Sequence, residues 1–157
     1  MDKQVRILIV DDDETIRKVL EAILQDEGYT IDSADTAKKA IEKSQNEFYN
    51  LALLDVRLPD MEGIELLTKL HDTKPKMRKI IITGYPTLQN AVAAVNKGAD
   101  AYIMKPFDVE KMLHTIKEQL KKQEEEKTYS EEKIAEFIEA CVKELDTISS
   151  IPGKKHF

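Results

Sequence analysis

Cysteine occurs only once in the 157 residues, at Cys141. A single thiol excludes an internal disulfide and any cysteine-rich zinc site. No apolar run approaches the roughly 18 residues of a membrane-spanning helix, and no signal peptide precedes the first strand-like run. The chain therefore reads as cytoplasmic. Basic clusters are missing too: 24 Lys and Arg stand against 30 Asp and Glu, a net charge of −6. Nucleic-acid and anionic-membrane surfaces need clustered cations that displace counterions, so neither is expected as a partner. Hydrophobic residues make up 41%, enough for a real core, and charged residues 34%, a heavily ionised surface. The length suits one compact domain plus an appendage.

Short apolar runs alternate with helical periodicity. Residues 5–10, 30–34, 51–54, 79–82 and 101–104 have strand character. Between and after them, apolar residues recur at helical spacing. Ile16, Val19, Leu20, Ile23 and Leu24 run to a stop at Gly28. Ala37, Ala40 and Ile41 begin a second helix, and Ile64, Leu67 and Leu70 mark a third. Leu88, Ala91, Val92 and Val95 stop at Gly98. Val109, Met112, Leu113, Ile116 and Leu120 form the fifth. Five strand–helix units predict a parallel sheet covered on both faces, with ligands beyond the carboxyl ends of the strands.

Five residues lie at those ends: Asp11 and Asp12 after the first strand, Asp55 after the third, Thr83 after the fourth and Lys105 after the fifth. Three carboxylates at neighbouring strand ends repel one another unless a cation or a proton compensates. Oxygen ligands suit a hard Mg²⁺ or Mn²⁺ ion. Such an ion can bridge a phosphoryl group and neutralise charge during its transfer. Lys105 adds a fixed positive charge and Thr83 a hydroxyl for a phosphoryl oxygen. A carboxylate can itself accept phosphoryl as an acyl phosphate.

Over about residues 4–122 the chain resembles the receiver domain of two-component response regulators. The resemblance rests on Val10-Asp11-Asp12, on Leu54-Asp55-Val56-Arg57-Leu58-Pro59-Asp60-Met61-Glu62-Gly63, on Ile82-Thr83-Gly84, and on Tyr102-Ile103-Met104-Lys105-Pro106-Phe107. It implies a flavodoxin-like, doubly wound α/β fold with strand order 2-1-3-4-5. It also implies that Asp55 is phosphorylated by a histidine kinase or phosphotransfer protein. Asp12 and Asp55 would ligate the metal, with the backbone carbonyl of Arg57, and Asp11 would act mainly through water. Lys105 would pair with the phosphoryl oxygens. Thr83 and Tyr102 would switch together, and the Lys105–Pro106 bond would be cis. The receiver would catalyse only its own phosphorylation and dephosphorylation. Its output would be read by protein partners on the face of the fourth helix, fifth strand and fifth helix, residues 88–98, 101–104 and 108–120. Arg57 and Tyr85, each two residues after a site residue, are expected to slow hydrolysis of the acyl phosphate.

Each site residue alone has a plainer reading. A lone Asp at a strand end is a helix N-cap, as expected for Asp13. Lys105 alone would be a solvated lysine, Thr83 a β-propensity choice and Tyr102 an edge-strand packing residue. Their joint spacing argues otherwise. His71, His114 and His156 show no ligand spacing. A rival is the haloacid-dehalogenase type of phosphatase, with Asp11 as nucleophile and Asp13 as general acid. It requires a fourth acidic motif on a strand after the lysine, and it leaves Pro59, Gly63 and the Lys105-Pro106-Phe107 run unexplained.

After Leu120 the pattern changes. Residues 123–157 read as a charged hinge followed by an amphipathic helix. Residues 121–130 are a hinge or solvated helix, with Thr128 and Glu131 spaced as a capping box. Residues 131–148 form a separate helix whose Ile134, Ile138, Cys141, Leu145 and Ile148 follow a 4-3-4-3 seam, flanked by Phe137 and Val142. This stripe either docks on its own receiver or is buried in trans by a second copy or a partner. Pro152-Gly153 begins a tail. About 35 residues are too few for a winged-helix DNA-binding domain. A fragment of a longer sensor protein is a further reading.

Overall fold

The computed structural model describes residues 4–149, with side chains to Thr147. Pro152, Gly153 and His156 lie outside the described residues, as does the side chain of Ile148. Five strands, β1 (Arg6–Val10), β2 (Thr30–Ala34), β3 (Leu51–Leu54), β4 (Arg78–Thr83) and β5 (Ala101–Met104), form one parallel sheet in the order β2-β1-β3-β4-β5. The helices are α1 (Glu14–Asp26), α2 (Ala37–Asn46), α3 (Gly63–Leu66), α4 (Leu88–Asn96) and α5 (Val109–Ser149). By backbone proximity the chain divides into two compact units, one ending at Gln123 and one beginning at Glu124. Among the described residues no helix is long and apolar enough to cross a membrane.

Alternation along the central strands explains the two cores of the first unit. Leu8, Val10, Ala52, Leu54 and Ile81 face one side, where residues of α2, α3 and α4 cover them. Ile7, Ile9, Leu51, Leu53, Ile80 and Ile82 face the other, against Leu20 and Leu24 of α1 and Met112 and Ile116 of α5. Both faces are buried, so these strands are apolar throughout rather than alternating. Asp13 caps α1, its carboxylate accepting from the amides of Thr15 (2.9 Å) and Ile16 (3.2 Å). Thr36 and Thr87 cap α2 and α4 in the same way. The helices α1 and α4 are followed by Gly28 and Gly98 at φ 93° and 98°, the left-handed turn that closes a helix.

Three sequence expectations change. The third helix is regular only over Gly63–Leu66. Its next turn tightens, the Thr68 amide donating to the Glu65 carbonyl at 3.2 Å and the Lys69 and Leu70 amides to that of Leu66 at 2.9 and 3.2 Å. The bond that would continue it, from the His71 amide to the Leu67 carbonyl, is replaced on both sides. Buried Lys79 donates its ammonium to the Leu67 carbonyl at 2.7 Å, and the His71 amide bonds to Ser44 Oγ at 3.1 Å. Helix α5 runs unbroken through residues 121–130, so no separate helix begins at 131. Thr128 lies inside that helix and is not a cap. The intervening segment is rich in Lys, Glu and Gln and holds no Gly or Pro, so nothing in it interrupts the helix.

Side chains of α5 also close the amino end of the sheet. The Gln123 side chain donates to the carbonyls of Asn50 (2.9 Å) and Lys76 (2.8 Å) and accepts from Asn50 Nδ2 at 3.2 Å. These bonds fasten the helix where the strands begin, opposite the acidic end.

Candidate phosphoryl and metal site

The sheet ladder continues one residue past each strand and delivers the site residues. The amides of Asp11, Asp55 and Lys105 donate to the carbonyls of Ala34, Val10 and Thr83 at 3.2, 2.9 and 2.7 Å. Carboxylate oxygens of Asp11, Asp12 and Asp55 lie within 4.8 Å of one another. Asp11 and Asp55 are buried and Asp12 is exposed. Lys105 extends its ammonium between the two buried acids, 2.7 Å from Asp11 Oδ2 and 3.3 Å from Asp55 Oδ2. Thr83 is fully buried at the end of β4, and its Oγ accepts from the Tyr85 amide at 2.9 Å. The three acids and Lys105 meet in an open cleft of about 480 Å³, lined also by Asp13, Ile16, Arg57, Gly84 and Tyr85.

The electrostatics are those of an excess of negative charge beside one cation. Burial, and then the charge of Asp11, push the Asp55 carboxyl above its ordinary range, although Lys105 pulls the other way. Burial works to lower the Lys105 ammonium, but its bond to Asp11 and the charges of Asp11 and Asp55 outweigh that and raise it. Lysine is therefore firmly charged. Oxygen donors with net charge near −2 are the chemistry that holds a hard divalent cation.

The loop after β3 is shaped around Asp55. The Gly63 amide donates to the Val56 carbonyl at 2.6 Å, and Arg57 and Glu62 form an antiparallel bridge. This turn uses the Val56 carbonyl rather than that of Arg57. A Cβ on residue 63 would overlap the Asp55 carbonyl oxygen and lie 3.0 Å from the Val56 Cα. Glycine at 63 is therefore required for Asp55 to stand where it does. Asp60, in the same loop, accepts from the Ala37 and Lys38 amides, both at 2.9 Å, and so ties the loop to the start of α2. The Arg57 amide donates to Asp55 Oδ1 at 3.3 Å.

The remaining expected residues fall nearby. The Lys105–Pro106 peptide is cis, as is Lys74–Pro75. Tyr102 lies on β5 with its ring half-buried and its hydroxyl buried without a hydrogen-bond partner. Asp13 is occupied as the α1 cap, and the strand after Lys105 that the phosphatase reading requires is absent among the described residues, where α5 follows instead. Sequence reasoning named Arg57 and Tyr85 but not their contact: the guanidinium stacks 3.7 Å above the Tyr85 ring, across the cleft mouth. The anchoring of Asp60 was not foreseen. A carboxylate directly after Pro59 carries no periodic signal, because its partner amides lie 22 and 23 residues away.

Residues 7–117 match the response regulator receiver domain family. The chain is 52% identical to a CheY-like response regulator receiver domain protein from Methanospirillum hungatei, with TM-score 0.76 over 79% of this chain and 99% of that one. It is 28% identical to a response regulator from Burkholderia pseudomallei solved with a phosphorylated aspartic acid and a calcium ion, at TM-score 0.69 over 81% and 75% of the two chains. The transcriptional regulatory protein ZraR of Klebsiella oxytoca is 36% identical over 75% of this chain and 27% of its own length. The chain spans between about a quarter and a half of the curated relatives it matches. Sheet order, acidic cleft and these likenesses agree: the chain belongs to the receiver domains of two-component response regulators, a family whose function is phosphorylation-dependent signalling.

Proposed function

We propose that Asp55 accepts a phosphoryl group from a histidine kinase or phosphotransfer protein and that the acyl phosphate changes the α4–β5–α5 face. The observation that carries this reading is the Asp55 carboxylate at the end of β3, clustered with Asp11 and Asp12 and 3.3 Å from the Lys105 ammonium. An Asp55 carboxylate oxygen attacks phosphorus, the bond from phosphorus to the donor imidazole nitrogen breaks, and the imidazole, already protonated on its other ring nitrogen, leaves neutral. Hydrolysis by water returns the carboxylate and inorganic phosphate. Asp12, Asp55 and the Arg57 carbonyl, with Asp11 through water, would hold Mg²⁺ or Mn²⁺. When bound, the ion neutralises charge on the phosphoryl oxygens.

Lys105 pairs with the phosphoryl oxygens from the position it holds between Asp11 and Asp55. Thr83 Oγ already accepts a bond from Tyr85, so its proton is free to donate to a phosphoryl oxygen. Drawing Thr83 inward moves the loop that Tyr85 belongs to and gives Tyr102, whose hydroxyl is unsatisfied, reason to turn. The face it turns within exposes Leu88, Val92 and Val95 on α4 and Met104 on β5, an apolar surface suited to a protein partner. The chain's catalysis is limited to its own phosphorylation and dephosphorylation. Residues 1–122 act as the receiver and 123–157 as a charged segment and helix, a reading supported by the unit boundary after Gln123. The lack of a basic cluster in a chain of net charge −6 supports a protein partner rather than DNA or an anionic membrane.

Amide NMR spectra with Mg²⁺ and beryllofluoride, a phosphoryl mimic, test this. Shifts at Thr83, Lys105 and Tyr102 that vanish in Asp55→Asn support the reading. Shifts that survive the substitution, or that miss β4 and β5, oppose it.

A further inference from the structure

The second unit carries an apolar face that nothing in the described structure covers. Ile134, Phe137, Ile138, Val142 and Leu145 are each between 50% and 72% exposed, and Cys141 between them is exposed as well. The seam residues Ile134, Ile138, Cys141 and Leu145 are spaced by four, three and four, the alternation of a coiled coil. The opposite side of this helix is charged and exposed, with Lys133 paired to Glu136 at 3.9 Å and Lys143 to Glu139 at 3.5 Å. Along the same seven-residue phase upstream, Leu113 and Leu120 pack against the receiver core and Lys127 interrupts the line, so the free seam begins at Ile134.

We infer that this face pairs with the same face of a second copy of the chain, as a parallel, in-register two-helix coiled coil centred on Cys141. Three features favour this occupant. A heptad seam is complementary to a helix of its own kind, which a general apolar patch is not. In the parallel arrangement Phe137 lies beside Val142 of the other copy, whereas antiparallel pairing sets it beside Glu144. The area is also adequate. Six side chains exposed to this extent bring roughly 300 Å² of apolar surface per helix, and with a polar rim the pair buries about 1,000 Å², the threshold of specific association. The pairing is consequently weak and concentration-dependent. It joins two receivers at the same end and does not require phosphate.

The test uses the full chain, its single cysteine and a variant confined to the exposed face. Mass by light scattering over about 1–200 µM is expected to climb from one chain toward two. A short bis-maleimide is expected to join Cys141 to Cys141 of the other copy. Ile138→Asp with Leu145→Asp is expected to remain one chain at every concentration, with the receiver's melting and phosphorylation unchanged. A wild type that stays at one chain throughout would overturn the proposal. So would a pair that survives the double substitution, or a pair that forms without cross-linking at Cys141.

Discussion

Replacing Gly63 by alanine adds one methyl group where the structure has no room for it. The new Cβ would overlap the Asp55 carbonyl oxygen and come within 2.8 Å of the Asp55 carbonyl carbon and 3.0 Å of the Val56 Cα. All three neighbours are backbone, so no side chain can swing aside. Overpacking of this kind costs about 1–3 kcal/mol. Alanine recovers up to about 1 kcal/mol of that, because glycine is the poorer residue in the helix that Gly63 opens. The net loss spans about 0–3 kcal/mol and centres near 1.5 kcal/mol, or roughly 4–8 °C in melting temperature for a unit of this size. The loss is localised. Relief comes only by moving the Asp55 backbone or by lengthening the bond from Gly63 to Val56. Both displace the carboxylate from Lys105, and misplacement of a reacting group by a fraction of an ångström to an ångström slows transfer by about 10- to 100-fold. Calorimetry and the rate of labelling by acetyl phosphate, measured on the same variant, check both halves. A Gly63→Ala protein that melts at or above the wild type and labels at the wild-type rate would refute the reasoning.

Further expectations concern the charge cluster, the switch tyrosine and the cleft mouth. Asp55 has a raised carboxyl pKa from burial and from Asp11, so its contribution to stability is fullest below the ordinary carboxylate range and is lost as pH rises through the folded value. Asp55→Asn should therefore melt above the wild type at pH 7 without divalent metal, and the advantage should shrink as pH falls toward 3; an advantage that grows on acidification contradicts the assignment. Tyr102→Phe removes a buried hydroxyl with no partner and should leave stability unchanged or raise it by up to about 1 kcal/mol in denaturant melts, while weakening the response of the α4–β5–α5 face. The Arg57→Ala, Tyr85→Ala pair removes a cation–π contact of about 0.5–1 kcal/mol over the cleft and should shorten the acyl-phosphate half-life by roughly two- to fivefold. A half-life that lengthens would show that the stack does not shield the site.

Much of the fold was legible because buried parallel strands are apolar on both faces. Ile7 to Val10 and Leu51 to Leu54 permit little other reading, and the rule that ligands gather at the carboxyl ends then brings Asp11, Asp55, Thr83 and Lys105 together. The parts that were not legible depend on partners distant in sequence. Nothing local to Leu67 foretells that Lys79 will take the carbonyl that a longer helix would have offered to the His71 amide. Lys79 itself looks like a surface residue until the structure shows its ammonium buried against that carbonyl. The charged segment after Leu120 reads equally as hinge or helix, because helix propensity and solvation both favour such residues. Cation–π stacking of Arg57 on Tyr85 joins two loops whose approach no spacing encodes. Gly63 was conspicuous in the sequence, but its reason, the closeness of the Asp55 carbonyl, needed coordinates.

The central claim is that Asp55 is a phosphoryl acceptor served by Lys105 and a divalent ion. Intact mass after incubation with acetyl phosphate, with Mg²⁺ or with chelator, for wild type and Asp55→Asn, tests it most directly. The account predicts a gain of one phosphoryl group, about 80 Da, in the wild type with Mg²⁺ and in neither control. An adduct that persists in Asp55→Asn, or steady hydrolysis abolished by Asp11→Asn with no adduct at all, would contradict it.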